Sequence, residues 1–232
     1  MHVNFITLKW GSKYGPEYVN RLYKCLEKIY SGPFTFYCFT DNKKDILPNI
    51  VVRDINTLRQ TKIVPFTNEK IYLFETMVGN NVLLDLDILI IKDLYPYLSD
   101  YNFTEPRFIL NYWSDKFYSE LLSRYGRNYI NSSFVTWKDN QLKFIIDFYN
   151  ENKKVIDFKY GDLDAWLFNG LRDKLNYHPE NLIMSFNSTP DNTYDTLSKS
   201  SIILFNTSHG TGRGKELHQG PDWAISHWKS FD

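Results

Sequence analysis

The sequence predicts an α/β domain, a central and mostly parallel sheet flanked by helices. Three observations lead there. Strand-like and helix-like segments alternate along the chain. The run Asn81-Val82-Leu83-Leu84-Asp85-Leu86-Asp87-Ile88-Leu89-Ile90-Ile91 is aliphatic at consecutive positions, the pattern of a strand covered on both faces. At 232 residues the chain is long enough for one sizeable core and does not compel a second.

The elements follow in order. Val3-Asn4-Phe5-Ile6-Thr7-Leu8 reads as a first core strand, and a helix is expected over 15–30, where Tyr18, Leu22, Leu26 and Ile29 share one face. Cys25 falls on the same helical spacing and reads as a buried thiol. Residues 34–39 form the next strand, ending in the turn residues Thr40-Asp41-Asn42, with a short strand at 50–53. A helix over 67–78 leads into the acidic strand. Beyond it the pattern predicts a strand at 107–111, a helix at 115–125, a strand at 130–137 and a helix at 139–152 capped by Asn140 or Asp139. A helix over 162–173 and short strands at 182–185 and 201–206 complete the core elements. The tail differs in character: glycines and basic residues dominate from Ser208 to Gly220, followed by an aromatic segment with Trp223 and Trp228. Its glycines and aromatics suggest a lid over a site.

Composition narrows the classes of function. Lysine plus arginine (27) balances aspartate plus glutamate (27), so no strong field draws the chain to nucleic acid or anionic lipid. Aromatic residues make up 17%, which suits either an aromatic core or surfaces that stack on sugars and bases. The opening residues lack the order of a signal peptide, and the apolar runs stop short of the ~20 residues a membrane helix needs. Two cysteines, Cys25 and Cys38, make no disulfide framework, so a cytoplasmic protein is expected.

Five constellations can carry chemistry. Asp85 and Asp87, two apart on a strand, project to one face, where a divalent cation would neutralise both; hard oxygen ligands suit Mn²⁺ or Mg²⁺. The competing reading is a solvated edge strand. Ser208-His209-Gly210-Thr211-Gly212-Arg213-Gly214-Lys215 has the make-up of an anion cradle, with His209 as a nitrogen ligand that tilts preference toward Mn²⁺; otherwise it is a surface loop. Asn131-Ser132-Ser133 opens an apolar strand with groups suited to sugar hydroxyls or, more blandly, to turn backbone. Asp162 and Asp164 are candidate catalytic carboxylates at a helix start, where an aspartate is equally well a cap. Lys9-Trp10-Gly11-Ser12-Lys13-Tyr14 follows the first strand, at the edge where open α/β sheets bind ligands; its rings and lysines suit a base and a diphosphate.

Taken in order, these residues resemble the nucleotide-sugar glycosyltransferases of the GT-A fold, most closely the glycogenin-like (family-eight-like) branch. The likeness runs through Thr7-Leu8-Lys9-Trp10-Gly11 with Tyr14, Phe39-Thr40-Asp41, Lys70, Val82 to Asp87, Asn131-Ser132-Ser133, Gly161-Asp162, and His209-Gly210 with Lys215. The resemblance implies one glycosyltransferase domain: a nucleotide-binding half over 1–100, a sugar and acceptor half over 101–207, and a loop and tail over 208–232. It implies Asp85, Asp87 and His209 as ligands of Mn²⁺ or Mg²⁺. Thr7, Lys9, Trp10, Tyr14, Lys70, Asp85, Leu86, Asn131, Ser132, Gly210 and Lys215 would bind the donor. The implied activity is transfer of a hexose from a UDP-sugar to a carbohydrate or other hydroxyl acceptor. The chain departs from the family pattern at Leu163, where a glutamine is usual, and in the residues inserted between Gly210 and Lys215. Retaining and inverting outcomes both stay open. So do two other classes, a haloacid-dehalogenase-like phosphatase, whose usual Gly-Thr is replaced here by Ile88-Leu89, and a non-catalytic sugar-binding module.

Overall fold

A computed structural model describes residues 1–58, 70–111, 130–160, 162–189, 191–205 and 216–232. The strands are β1 (Val3–Lys9), β2 (Phe34–Thr40), β3 (Val51–Asp54), β4 (Asn80–Leu84), β5 (Ile88–Ile90), β6 (Arg107–Leu110), β7 (Ile130–Lys138), β8 (Asn176–Tyr177), β9 (Ile183–Ser185) and β10 (Ile202–Leu204). The helices are α1 (Pro16–Ile29), α2 (Leu73–Thr76), α3 (Tyr95–Tyr101), α4 (Lys143–Lys159), α5 (Leu163–Leu171), α6 (Tyr194–Leu197) and α7 (Asp222–Lys229).

Among the described residues the main sheet has seven strands in the order β3-β2-β1-β4-β7-β6-β8. It is parallel from β3 to β4, antiparallel on both sides of β7, and parallel again at β6-β8. Alternate residues of β1 feed two apolar cores. Val3 and Phe5 pack with α1 and the smaller sheet; Ile6 and Leu8 pack on the opposite face, in the core that holds Ile145 and Tyr149 of α4 and Trp166 of α5. Burial on both faces is why the strand sequences are apolar at successive positions. No helix among the described residues is long and apolar enough to cross a membrane.

The acidic run is not the single strand its composition suggests. β4 ends at Leu84, Leu86 and Asp87 form a turn, and β5 belongs to a second sheet ordered β5-β10-β9. The Asp85 N–H still donates to the Ser133 carbonyl at 2.9 Å, extending the β4-β7 ladder, whereas the Asp87 carbonyl accepts from the Phe205 N–H at 2.8 Å, just past β10. The chain passes from one sheet to the other between the two aspartates. A strand interior buried on both faces has no room for a carboxylate, and the turn gives these two an outlet.

Other elements are also corrected. α4 starts at Lys143 without a side-chain cap; Asp139 stands in the left-handed region at φ 49° and its Oδ1 accepts from the Gly79 N–H, so neither Asp139 nor Asn140 caps it. α3 has no counterpart in the sequence reading. In the expected helix over 67–78 the described part is a 3-10 turn at Lys70–Tyr72 followed by α2; the expected helix over 115–125 lies outside the described residues. Both cysteines are free and buried.

The described end of the tail, 216–232, packs on α1, while residues 208–215 of the expected lid lie outside the described residues. Trp228 of α7 lies 4.7 Å from the Tyr18 ring, with the Arg21 guanidinium 4.1 Å from its centroid, and Phe231 joins the same core. Trp228→Ala is expected to cost about 3 kcal/mol, read as a lower urea midpoint at unchanged slope.

His178, just after β8, is 6% exposed, bonded through Nδ1 to the Tyr97 hydroxyl at 2.8 Å and packed on Phe134. Burial, with the Arg107 charge added, holds its pKa down at about 3. The folded state therefore resists a proton that the unfolded chain accepts near pH 6.5. This contribution to stability is fully present above pH 6.5 and is lost as pH falls toward 3. The slope is at most about 1.4 kcal/mol per pH unit. Urea midpoints of His178→Gln should fall less than those of the wild type between pH 7 and pH 5.

Candidate active site

A cavity of about 350 Å³ opens where β1 and β4 end, and Asp85, Asp87, Asp162 and Asp164 all line it. β1 leads to Trp10, after which Gly11 takes a positive φ of 61° that side chains disfavour. The Gly11 N–H donates to Asp41 just past β2, at 3.0 Å, pinning the turn that carries Lys13 and Tyr14 to the cavity wall. β7 supplies Asn131, Ser132 and Ser133, and the start of α5 supplies Asp162 and Asp164.

Asp85 is the most constrained of the carboxylates. Lys70 Nζ donates to its Oδ1 at 2.6 Å and its Oδ2 at 2.9 Å, and Ser133 Oγ donates to Oδ2 at 3.0 Å. Lys70 is only 7% exposed. Burial lowers its pKa, but Asp85, Asp164 and Asp87 outweigh this, so the ammonium is held more tightly than an ordinary lysine's.

Asp87 is half-buried and pushed up to about pKa 6 by burial and by the neighbouring Asp85 charge, against the pull of Lys70 and Lys13. Asp164 is also raised to about 6, chiefly by burial, although Lys70 and the Ser132 N–H, which donates to its Oδ1 at 3.0 Å, both favour the charged form. The Tyr14 hydroxyl is pushed well above the usual tyrosine range by burial and then by Asp87, Glu216 and Asp85. Among the described residues four carboxylates thus line this cavity.

The expected residues divide into three groups. Trp10, Tyr14, Lys70, Asp85, Leu86, Asp87, Asn131, Ser132, Asp162 and Asp164 converge on the cavity. Thr7 and Lys9 do not line it. Thr7 is fully buried within β1, its Oγ1 without a hydrogen-bond partner among the described residues, and Lys9 is 5% exposed. Side chains alternate across a strand, so not all residues of a motif written along β1 reach one site. His209, Gly210 and Lys215 lie outside the described residues. Among the described residues no group of three or more His, Cys, Asp or Glu side chains gathers in a way that could hold a metal ion.

Two expected residues have contacts the sequence does not show. Lys70, expected at the diphosphate or ribose, lines the cavity and is bonded to Asp85. Asp162 caps α5, its Oδ1 accepting the Ala165 N–H at 2.8 Å, while also lining the cavity. The expected donor-site list omits Lys13 and Ser133, although both lie inside motifs read from the sequence. Nothing in local sequence pairs Ser133 with Asp85, since that contact comes from the antiparallel register Leu84↔Phe134.

No protein-family model matches the chain, and no curated protein matches it. Solved structures do. The galactosyltransferase LgtC, crystallised with donor and acceptor sugar analogs, aligns with a TM-score of 0.67 at 11% identity, over 98% of this chain and 95% of that one. The bifunctional glycosyltransferase WbbM aligns at 0.62 and 12% identity, over 98% of this chain and 51% of its own. The glycosyltransferase GlyE of Streptococcus pneumoniae TIGR4 aligns at 0.59 and 9% identity, over 98% and 59%. The chain shares the fold of these proteins, and the expected GT-A architecture is present.

Proposed function

We propose that this chain is a divalent-metal-dependent glycosyltransferase of the glycogenin-like branch, moving a hexose from a UDP-sugar to an acceptor hydroxyl. One observation carries the reading. Asp85 and Asp87, held by two different sheets, meet in a single cavity at the carboxyl ends of parallel strands, on a fold shared with three glycosyltransferases.

The donor set fits Mn²⁺ or Mg²⁺. Two hard carboxylates line one cavity, and the neighbouring charge that helps raise Asp87 is one a doubly charged ion would offset. Asp85 and Asp87 would hold the ion, with His209 as the third ligand by resemblance; when bound, it supplies charge neutralisation for a departing diphosphate.

The chain's own residues account for the rest. Trp10 and Tyr14 offer rings for the base, and Lys13, whose ammonium lies 4.7 Å from the Tyr14 ring centroid and 3.4 Å from Glu216, offers charge to the diphosphate. Gly210 and Lys215 belong to the same donor set. Asn131 Oδ1 accepts from the Ser133 N–H at 2.8 Å, which fixes its amide at the cavity wall beside Ser132, both suited to sugar hydroxyls. Asp164, oriented by the Ser132 N–H and raised toward neutrality, suits a hydrogen bond to the donor sugar or the acceptor hydroxyl.

The test is a panel of nucleotide-sugars incubated with simple glycosides, measuring nucleotide release with Mn²⁺ and with a chelator. Mn²⁺-dependent release from a UDP-hexose is expected. Phosphate release from simple monoesters without nucleotide-sugar turnover would place the chain with the phosphatases instead. Sugar binding without turnover would make it a binding protein.

A further inference from the structure

The inference rests on Asp85 and Asp87 being metal ligands, and concerns the ammonium bonded to Asp85. Three carboxylates, Asp85, Asp87 and Asp164, act on Lys70, and the one it touches uses both oxygens to do so. Carboxylates that converge in a part-buried cavity cost free energy through repulsion and lost hydration, and a neighbouring cation offsets part of that cost. We propose that Lys70 is the internal counter-cation of this cluster: a positioning residue that holds the carboxylates together before a divalent ion arrives, and that opposes the ion once it does.

The direction of its effect follows from charge and geometry together. An ammonium within hydrogen-bond distance of one ligand repels an arriving dication, so it weakens binding of the ion alone. Lys70 also orients Asp85, but Ser133 Oγ and the Asp85 N–H bond to the Ser133 carbonyl hold that residue independently. Loss of the ammonium therefore removes repulsion without releasing the ligand. A nucleotide diphosphate brings the negative charge that offsets Lys70, so the ion and the nucleotide should bind together more tightly than the ion does alone.

The experiment is a titration with Mn²⁺, free ion being followed by electron paramagnetic resonance. It uses wild type, Lys70→Met and Lys70→Arg without nucleotide, and wild type with UDP. The dissociation constant should fall by about tenfold or more in Lys70→Met and stay within about twofold in Lys70→Arg. An equal or weaker affinity in Lys70→Met would overturn the proposal. Absence of saturable Mn²⁺ binding in every sample, UDP included, would instead contradict the metal reading itself. Should Lys70→Met fail to fold, wild type labelled with ¹⁵N-lysine supplies the answer. The ammonium signal missing from the Lys70→Arg spectrum should shift or broaden on adding Mg²⁺; a signal unmoved at saturating Mg²⁺ would overturn the proposal.

Discussion

Asp87→Asn should lower Mn²⁺-dependent nucleotide release by about a thousandfold or more while leaving the metal-free protein at least as stable as the wild type. The two effects share one cause. Asp87 is raised from the ordinary 3.8 to about 6, so its ionised form is disfavoured in the folded protein. A carboxyl whose folded pKa lies above its unfolded value favours folding below the unfolded pKa and loses that advantage as pH rises through the folded one. The penalty thus develops between about pH 4 and 6 and is complete above that. Replacing the acid with its neutral amide removes it. After a discount for solvent at this half-buried position, the gain is about 1 kcal/mol at pH 8, and little at pH 4. Thermal melts at the two pH values without metal, set beside nucleotide release with Mn²⁺, check both halves.

Asp85→Asn should lose activity as completely but respond in the opposite sense in stability. Its carboxylate is the partner of a nearly buried ammonium, with side-chain exposures of 8% for Lys70 and 27% for Asp85. Removing one member of such a pair leaves a desolvated charge behind. The full cost for a buried pair is about 3–5 kcal/mol, and the partial exposure here brings the expected loss to about 2 kcal/mol. Lys70→Met in the Asp85→Asn background should recover part of it, since no orphaned ammonium remains. Urea midpoints of the two single variants and the double variant form the measurement. A rise in stability for Asp85→Asn, like that expected for Asp87→Asn, would mean that Lys70 does not neutralise the site.

The contrast between these neighbours shows what the sequence can and cannot reveal. β1, α1, β2, β6 and β7 were legible because each carries its own periodic pattern or apolar run. That Asp85 and Asp87 face one site is legible as well, since carboxylates among aliphatic residues demand an outlet, although a turn and not one strand face brings them there. The break between them is not legible. Residues 81–91 remain apolar on both sides of the turn because β4 and β5 are each buried, in different sheets, and composition records burial without recording which sheet supplies it. α3 escaped notice because a seven-residue helix carrying Pro96 in its first turn gives too little period to read. Asp139 looked like a cap by residue type, yet a left-handed turn directs its carboxylate to Gly79, a contact 60 residues away. Lys70 is legible as a site residue, but its bond to Asp85 is not, because that contact is tertiary.

Calorimetry of UDP binding tests the central claim most directly, with Mn²⁺ or with chelator present, on wild type and on Asp87→Asn. The account predicts tight binding to wild type only with Mn²⁺, and the loss of that gain in Asp87→Asn. UDP binding of equal strength with and without the ion, or a gain from Mn²⁺ that survives in Asp87→Asn, would contradict it.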